Sequence, residues 1–301
     1  MGSTISKGSL FPVQLVNEMV NLTRGKSAVA RLSAAEPIPF NGQEVLTFSL
    51  DAEADLVAEN GAKSNGGGTI TPVTMQPVKL EYGMRISDEF DYASEEVQLR
   101  YLQSFAEGFA SKAARALDIM AFHGVNPRSK QAASVLSGKS FDALVENIVD
   151  YNSSAPQDDV QTAIDLILAA EHEVTGMAMS PSFKSALGAV KTQTNSNVPL
   201  FPELGWGNEA QSINGLPVDT NSTVSFNSSA DKAIIGNFRD FFKWGIAREI
   251  PTEIIRYGNP DNSETGDLKG HNQIYLRGEI YVAFAILVPE AFSIVKTKAS
   301  G

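Results

Sequence analysis

Two consecutive segments of this chain are hard for one compact subunit to bury. About Glu44–Ser87 read as a long hairpin, and about Asp88–His123 as a helix roughly three times the usual 11–12 residues. The first arm is Glu44-Val-Leu-Thr-Phe-Ser-Leu50, and the tip is Glu59-Asn-Gly-Ala-Lys-Ser-Asn-Gly-Gly-Gly68. The return arm alternates apolar residues at Val78, Leu80, Tyr82, Met84 and Ile86. Arms of roughly 15 residues at about 3.3 Å each reach on the order of 50 Å. An isolated two-stranded ribbon is marginal in water, so this one needs a surface to lie on. Where its own domain is too small to supply that surface, a neighbouring subunit must. The pattern predicts an assembly.

The helix has Ser87 or Asp88 as its cap, with Asp88, Glu89 and Asp91 in the first turn, where the helix dipole favours anions. Its apolar stripe is Ala93, Val97, Tyr101, Phe105, Phe109, Ala113 and Leu117, extended by Phe90 and Met120. Steps of four that never alternate with three do not make a coiled-coil heptad. The segment therefore reads as a single spine, about 54 Å long at 1.5 Å per residue. Gly124 and Asn126-Pro127 end it.

Before these two segments, residues 1–38 read as an irregular arm. It holds one short helix at Leu10–Val20 and the bases Lys7, Arg24, Lys26 and Arg31. From about 129 to 235 the pattern is α/β. Helices are predicted at about Ser140–Asp150 and Asp158–Glu173, and a buried strand at Gly176–Ser180. Ser180-Pro181 then starts a short helix that ends near Leu187. Core strands follow at Gly215–Asp219 and Ala233–Gly236. The last segment is β-rich, with Phe238–Tyr257 and Gln273–Phe284 flanking a hydrophilic loop, Gly258–Gly270.

Composition removes several functions. The 301 residues include no cysteine, which excludes disulfides, thiolate metal sites and cysteine nucleophiles. Three histidines occur, none as an i, i+4 pair, and His172 on a polar helix end reads as solvated. A net charge of −11 does not suit a broad basic nucleic-acid surface. No apolar run approaches the roughly 18–20 residues of a membrane span, and the N-terminus has no apolar signal core. Ser137-Gly-Lys-Ser140 carries Ala133 where a phosphate-binding loop needs glycine, and His172-Glu173 lacks the second histidine of a metalloprotease helix. Nothing assembles a nucleophile, a base and an orienting group. No catalytic, metal or cofactor-binding residues are expected, and the chain does not read as an enzyme.

Five runs follow one another along the chain. Ser87-Asp-Glu-Phe-Asp91 opens the spine helix and Phe122-His-Gly-Val-Asn-Pro127 closes it. Ile213-Asn-Gly-Leu-Pro-Val218 leads into a core strand, and Ala233-Ile-Ile-Gly-Asn-Phe-Arg-Asp240 into the late β segment. Gln273–Val295 ends the chain with an arginine-bearing strand, an apolar strand and a Pro-Glu-Ala-Phe turn. Over about residues 10–297 this order resembles the major capsid protein of tailed bacteriophages, the Hong Kong 97-type fold.

The resemblance implies an α+β fold in four parts. Residues 1–38 would be the N-terminal arm and 39–87 the extended E-loop hairpin. Residues 88–125 and 245–288 would form a peripheral P-domain of spine helix plus β-hairpin. Residues 126–244 and 289–301 would form an α/β axial A-domain. It further implies a homo-oligomer of pentamers and hexamers in an icosahedral shell that encloses double-stranded DNA without sequence-specific binding. A scaffolding protein, a portal and a possible decoration protein would be partners, with no membrane involved. The product would be a virion capsid assembled in the host cytoplasm. An encapsulin-like nanocompartment enclosing cargo proteins shares the fold and stays open as the alternative. The chain lacks the long N-terminal helical segment that some members use as a built-in scaffold, so scaffolding would come from a separate protein or that segment was removed before this sequence begins; Met1 favours the former. Some members also weld their shells with a Lys–Asn isopeptide bond. Here Lys63 would be the lysine, and Asn259 or Asn262 the partner.

Charge suggests where the hairpin lands. Its descending arm and tip carry Asp51, Glu53, Asp55 and Glu59 before the first base, Lys63. The late segment offers Arg239, Lys243, Arg248 and Arg256. These acids are expected to meet some of these bases across a subunit boundary. Exposed pairs contribute about 0–1 kcal/mol each, so only summation over many copies gives them weight.

Overall fold

The apolar pattern of the chain sorts into two sheets, one free ribbon and a long helix that joins them. In this computed structural model residues 27–193 and 197–298 are described, so the expected arm helix at Leu10–Val20 and its bases Lys7, Arg24 and Lys26 lie outside. Helix α1 (Ala28–Leu32) is capped by Ser27, whose hydroxyl accepts from the Ala30 N–H. Strands β1 (Gln43–Leu50) and β2 (Gly68–Met75) form an antiparallel ribbon. Strand β3 (Val78–Ser87) leaves the ribbon for another sheet, and a 3-10 turn, Asp88–Tyr92, leads into α2 (Glu95–His123).

Next come α3 (Phe141–Leu144), β4 (Ile148–Asp150), α4 (Pro156–Ala169), β5 (Gly176–Met179) and α5 (Pro181–Ala189). Strands β6 (Ser212–Ile213), β7 (Leu216–Thr220) and β8 (Asp231–Gly236) precede the short α6 (Phe238–Phe241). The chain closes with β9 (Phe242–Ile255), β10 (Gln273–Ile286) and β11 (Phe292–Lys296).

One sheet is antiparallel in the order β3-β10-β9, and the other is mixed in the order β4-β11-β8-β5-β7-β6. The two meet at a shared core under the second half of α2. Phe141 sits at its centre, its ring 4.9 Å from Phe292, 5.6 Å from Phe242 and 5.8 Å from Phe238. Trp244, Leu117, Phe122 and Ile234 complete it, all fully buried. A second core, with Ile167, Met177, Phe183 and Val218, belongs to the six-stranded sheet. A third packs Phe90, Leu102 and Phe105 against Ile274 and Leu276 at the outer end of α2.

Asp118 of α2 ties α1 into the shared core. It is completely buried and accepts from the Ser27 hydroxyl, the Ala28 and Val29 N–H groups and the Thr223 hydroxyl. Burial pushes its carboxyl up to about 6, against the downward pull of those four hydrogen bonds.

Three expectations change. The hairpin does not run to Ser87: its arms have eight residues each, about 26 Å at 3.3 Å per residue. Pro77 has no N–H for a ladder, and Val78, Leu80, Met84 and Ile86 are partly buried against the cores that include α2. The return-arm alternation is that of an edge strand in the three-stranded sheet. The spine helix begins at Glu95, not Asp88, because Ala93 is extended and Gln98 donates its side-chain amide to the carbonyls of Phe90, Asp91 and Ala93. Its 29 residues span about 44 Å, and it ends at left-handed Gly124 as expected. The helix predicted over Ser140–Asp150 stops at Leu144. The Asn147 amide donates to the Glu290 and Phe292 carbonyls, and this turns the chain into β4 beside β11.

The other predicted strands and helices of the α/β region form within a few residues of their expected bounds, including the Ser180 cap of α5. No helix among the described residues is long and apolar enough to cross a membrane.

Candidate subunit interface

The ribbon β1–β2 has two faces of different fate. Its inner face is held at the base, where Val45, Val73 and Met75 pack with Ile38, Ala283 and Ala285. On the outer face the register places Leu46 opposite Pro72, Phe48 opposite Ile70 and Leu50 opposite Gly68. Residues two apart share a face of a strand, so Leu46, Phe48, Leu50, Ile70 and Pro72 form one apolar strip. It faces solvent: Leu46 is 63%, Phe48 65%, Leu50 69% and Ile70 59% exposed. Leu56 and Val57 extend exposed apolar surface into the tip. Exposed apolar residues are ordinary when scattered, but a contiguous strip marks a binding surface.

The neck of the tip is closed by Asp51. Its carboxylate accepts from the Gly67 N–H at 2.7 Å, and its own N–H donates to the Gly67 carbonyl at 3.2 Å. A Cβ on Gly67 would lie 2.3 Å from the Asp51 carboxylate, so a side chain there would push the pair apart. Asp51 therefore has a local structural role that its charge alone did not suggest.

The structure places Glu53, Asp55, Glu59 and Lys63 exposed on the tip beyond this neck. Among the described residues no ion pair joins the tip to the four late bases. Three of those bases have partners within the chain. Arg239 lies 3.3 Å from Asp240 and 3.7 Å from Glu173, and Lys243 lies 2.6 Å from Glu36. Arg256 reaches Asp91 at 2.8 Å, a pairing that raises the guanidinium further above its ordinary value. Arg248 is exposed on β9, with its guanidinium 6.0 Å from the centre of the Phe40 ring.

Asn259, one imagined partner of Lys63, is engaged locally. Its Oδ1 accepts from Arg85 at 2.6 Å, and its amide donates to the Ser263 carbonyl. Arg85 also forks onto Asp261, holding that carboxyl below its usual range, so the 258–270 loop is bound down onto β3. His172, expected in solvent, is half-buried with its ring 5.3 Å from Phe241.

The exposed apolar strip was not among the expected contact residues, although its signal stands in the sequence as Leu46, Phe48 and Leu50 alternating with Val45, Thr47 and Ser49. Alternation alone cannot say which of two apolar faces the subunit covers.

Known proteins share the fold of this chain. The sequence matches the model of the Phage capsid family over residues 7–297. Among solved structures, a chain of Mycobacterium phage Ogopogo superposes with a TM-score of 0.77 at 29% identity, covering 91% of this chain and 92% of that one. A chain of Gordonia phage Cozz gives 0.72 at 21% identity, covering 90% and 86%. One described as the capsid of a native GTA particle computed with C5 symmetry gives 0.60 at 14% identity, covering 90% of each chain, and so shares the fold. Comparison with curated proteins finds no match.

Proposed function

The chain belongs to the phage capsid family, and on that premise we propose that its copies tile an icosahedral shell, each laying the outer face of its ribbon on a neighbour. It is a structural, shell-forming protein. The observation that carries the reading is the strip of Leu46, Phe48, Leu50 and Ile70, uncovered among the described residues, on a ribbon whose base is held by Ile38, Ala283 and Ala285. Full burial of such a side chain contributes about 1.5–3 kcal/mol. An exposed ion pair contributes about 0–1 kcal/mol. The strip therefore dominates the contact, and the tip acids Glu53, Asp55 and Glu59 set its register and approach. Arg248 is their best-placed receiver, because Arg239, Lys243 and Arg256 already have acids beside them.

In this reading residues 1–38 are the N-terminal arm and the β1–β2 ribbon is the E-loop. Helix α2 with the three-stranded sheet forms the P-domain, and the six-stranded sheet with its helices forms the A-domain. Pentamers and hexamers of the chain enclose double-stranded DNA. The net charge of −11 supports a wall that does not grip its contents. A scaffolding protein, a portal and a decoration protein are the partners, and assembly takes place in the host cytoplasm.

Electron microscopy of the purified chain, paired with nuclease protection of particles from infected cells, tests this. Closed shells holding nuclease-protected DNA are expected. Shells holding protein cargo in place of DNA would favour a nanocompartment, and a chain that stays monomeric under all assembly conditions would refute the reading.

A further inference from the structure

His123 at the end of α2, Asp142 in the first turn of α3 and Asp231 at the start of β8 converge on one point where the long helix meets the six-stranded sheet. The Nε2 atom of His123 lies 2.9 Å from the Thr223 carbonyl oxygen. A carbonyl oxygen only accepts, so Nε2 carries the ring proton. In the neutral ring Nδ1 is then a bare lone pair. It stands 2.8 Å from Asp142 Oδ2 and 3.5 Å from Asp231 Oδ2. Three electron-pair donors thus face one another, all within 4.8 Å.

Lys296 does not fill that point. Its ammonium sits on the opposite oxygens, 2.7 Å from Asp142 Oδ1 and 3.3 Å from Asp231 Oδ1. Two carboxylates against one ammonium leave a net negative charge in a largely buried place. A second proton on His123 would hydrogen-bond to Asp142 and form an ion pair with Asp231 at 3.5 Å, but it would leave Asp231 Oδ2 without a hydrogen bond. The Asp231 side chain is only 1% exposed, and its Oδ2 has no hydrogen-bond partner. Buried acceptors in native proteins have partners, so the orphaned Oδ2 calls for a cation that reaches all three donors.

We propose that His123 Nδ1, Asp142 Oδ2 and Asp231 Oδ2 bind a divalent transition-metal ion, with zinc the best fit to one imidazole and two carboxylates. Zinc–ligand bonds of about 2.0–2.2 Å in a tetrahedron place donors roughly 3.4 Å apart. The His123–Asp231 edge already has that length, and the His123–Asp142 edge opens by roughly half an ångström. Asp142 is the most exposed of the three, which gives the ion an entry path. The Nε2–Thr223 hydrogen bond fixes the tautomer and aims the ring, as the outer contacts of metal-bound histidines do. The ligands come from distant parts of the chain, so no sequence spacing announces the site. A bound ion would clip the end of the long helix to the sheet that carries β8. This site stands or falls independently of the shell reading.

The test uses the untagged full-length chain, as subunits or as shells, stripped with chelator and dialysed against Zn2+. One retained ion per chain is expected. A hundredfold excess of Zn2+ over its dissociation constant should raise the melting temperature by roughly 5 °C. Asp231→Asn should lose both effects. Because that variant could fold poorly, Co2+ is also titrated into the unaltered chain. The absorption bands of tetrahedral cobalt with a nitrogen and oxygen donor set are expected. No retained zinc, no cobalt bands and an unchanged melting temperature would overturn the proposal. So would a folded Asp231→Asn chain that binds the ion as tightly as its parent.

Discussion

The β1–β2 ribbon and the β3-β10-β9 sheet are both antiparallel and both alternate with a period of two, yet one is core and the other surface. In the sheet, Ile274, Leu276, Ile280 and Phe284 are buried because α2 lies across them. In the ribbon, Leu46, Phe48 and Leu50 have the same chemistry and, among the described residues, nothing over them. The cover, not the strand, decides the outcome. A covered apolar face stabilises the subunit, and an uncovered one stores that free energy for association.

Phe109→Ala is the most damaging test of the covered side. Phe109 is buried between α2 and β10. Deleting a buried phenyl group costs about 3–5 kcal/mol in transfer and cavity terms. Urea unfolding of the subunit should show a loss of that size. A much smaller loss would mean that α2 does not support the sheet as described.

Asp118 tests the polar part of the same covered region. Its carboxyl stands at about 6 folded against 3.8 for an ordinary aspartate. A folded value above the unfolded one gives stability that is complete below about pH 3.8 and lost as pH rises through about 6. The difference is on the order of 3 kcal/mol, at about 1.4 kcal/mol per unit. Other carboxylates, Asp240 and Asp261 among them, are held low and act in the opposite sense. The measurement is therefore the unfolding free energy of the parent minus that of Asp118→Asn, followed from pH 4 to 7. It should fall with rising pH; a flat difference would show that the four hydrogen bonds keep Asp118 ionised throughout.

The uncovered side should respond in the reverse manner. Phe48→Ser removes about 1.5–3 kcal/mol from each ribbon contact. It should change subunit stability by no more than about 0.5 kcal/mol, the ordinary range for an exposed position. Sedimentation should then show folded subunits that need higher concentrations to assemble. If Phe48→Ser instead unfolds the subunit, the contrast between ribbon and sheet is broken.

Much of this was legible in the chain. Gly124 ends the long helix, Ser180 caps α5, and the apolar runs around Met177 and Ile234 become central strands, because local chemistry decides those positions. Where the text misled, a distant contact overruled the local pattern. Val78 to Ile86 alternates just as a hairpin arm would, and only α2 draws it into a separate sheet. Phe141–Asp150 has helical spacing, but Asn147 bonds to the turn at Glu290 and Phe292 and the helix stops. At the interface the acids attracted notice because charge is conspicuous in sequence. The apolar strip flanks them in sequence, at Leu46–Leu50 and Ile70–Pro72, and in the proposed contact it outweighs them. The pairings of Lys243 with Glu36 and Arg256 with Asp91 join residues far apart in sequence, so spacing could not foretell that those bases were engaged.

The smallest expected effect decides what remains for the charges. Replacing Glu53, Asp55 and Glu59 with lysine leaves Asp51 and the loop neck intact, so any change reports the tip alone. Each lost exposed pair contributes about 0–1 kcal/mol, less at high ionic strength because the screening length falls from about 10 Å at 0.1 M salt to about 3 Å at 1 M. The triple variant should assemble more slowly than its parent at low salt and approach it at high salt, whereas Phe48→Ser should be impaired at both. Arg248→Glu should reproduce the low-salt defect, and combined with the triple variant it should restore part of the rate. If the triple variant assembles normally at low salt, the tip acids are a solvated surface and the apolar strip alone sets the contact.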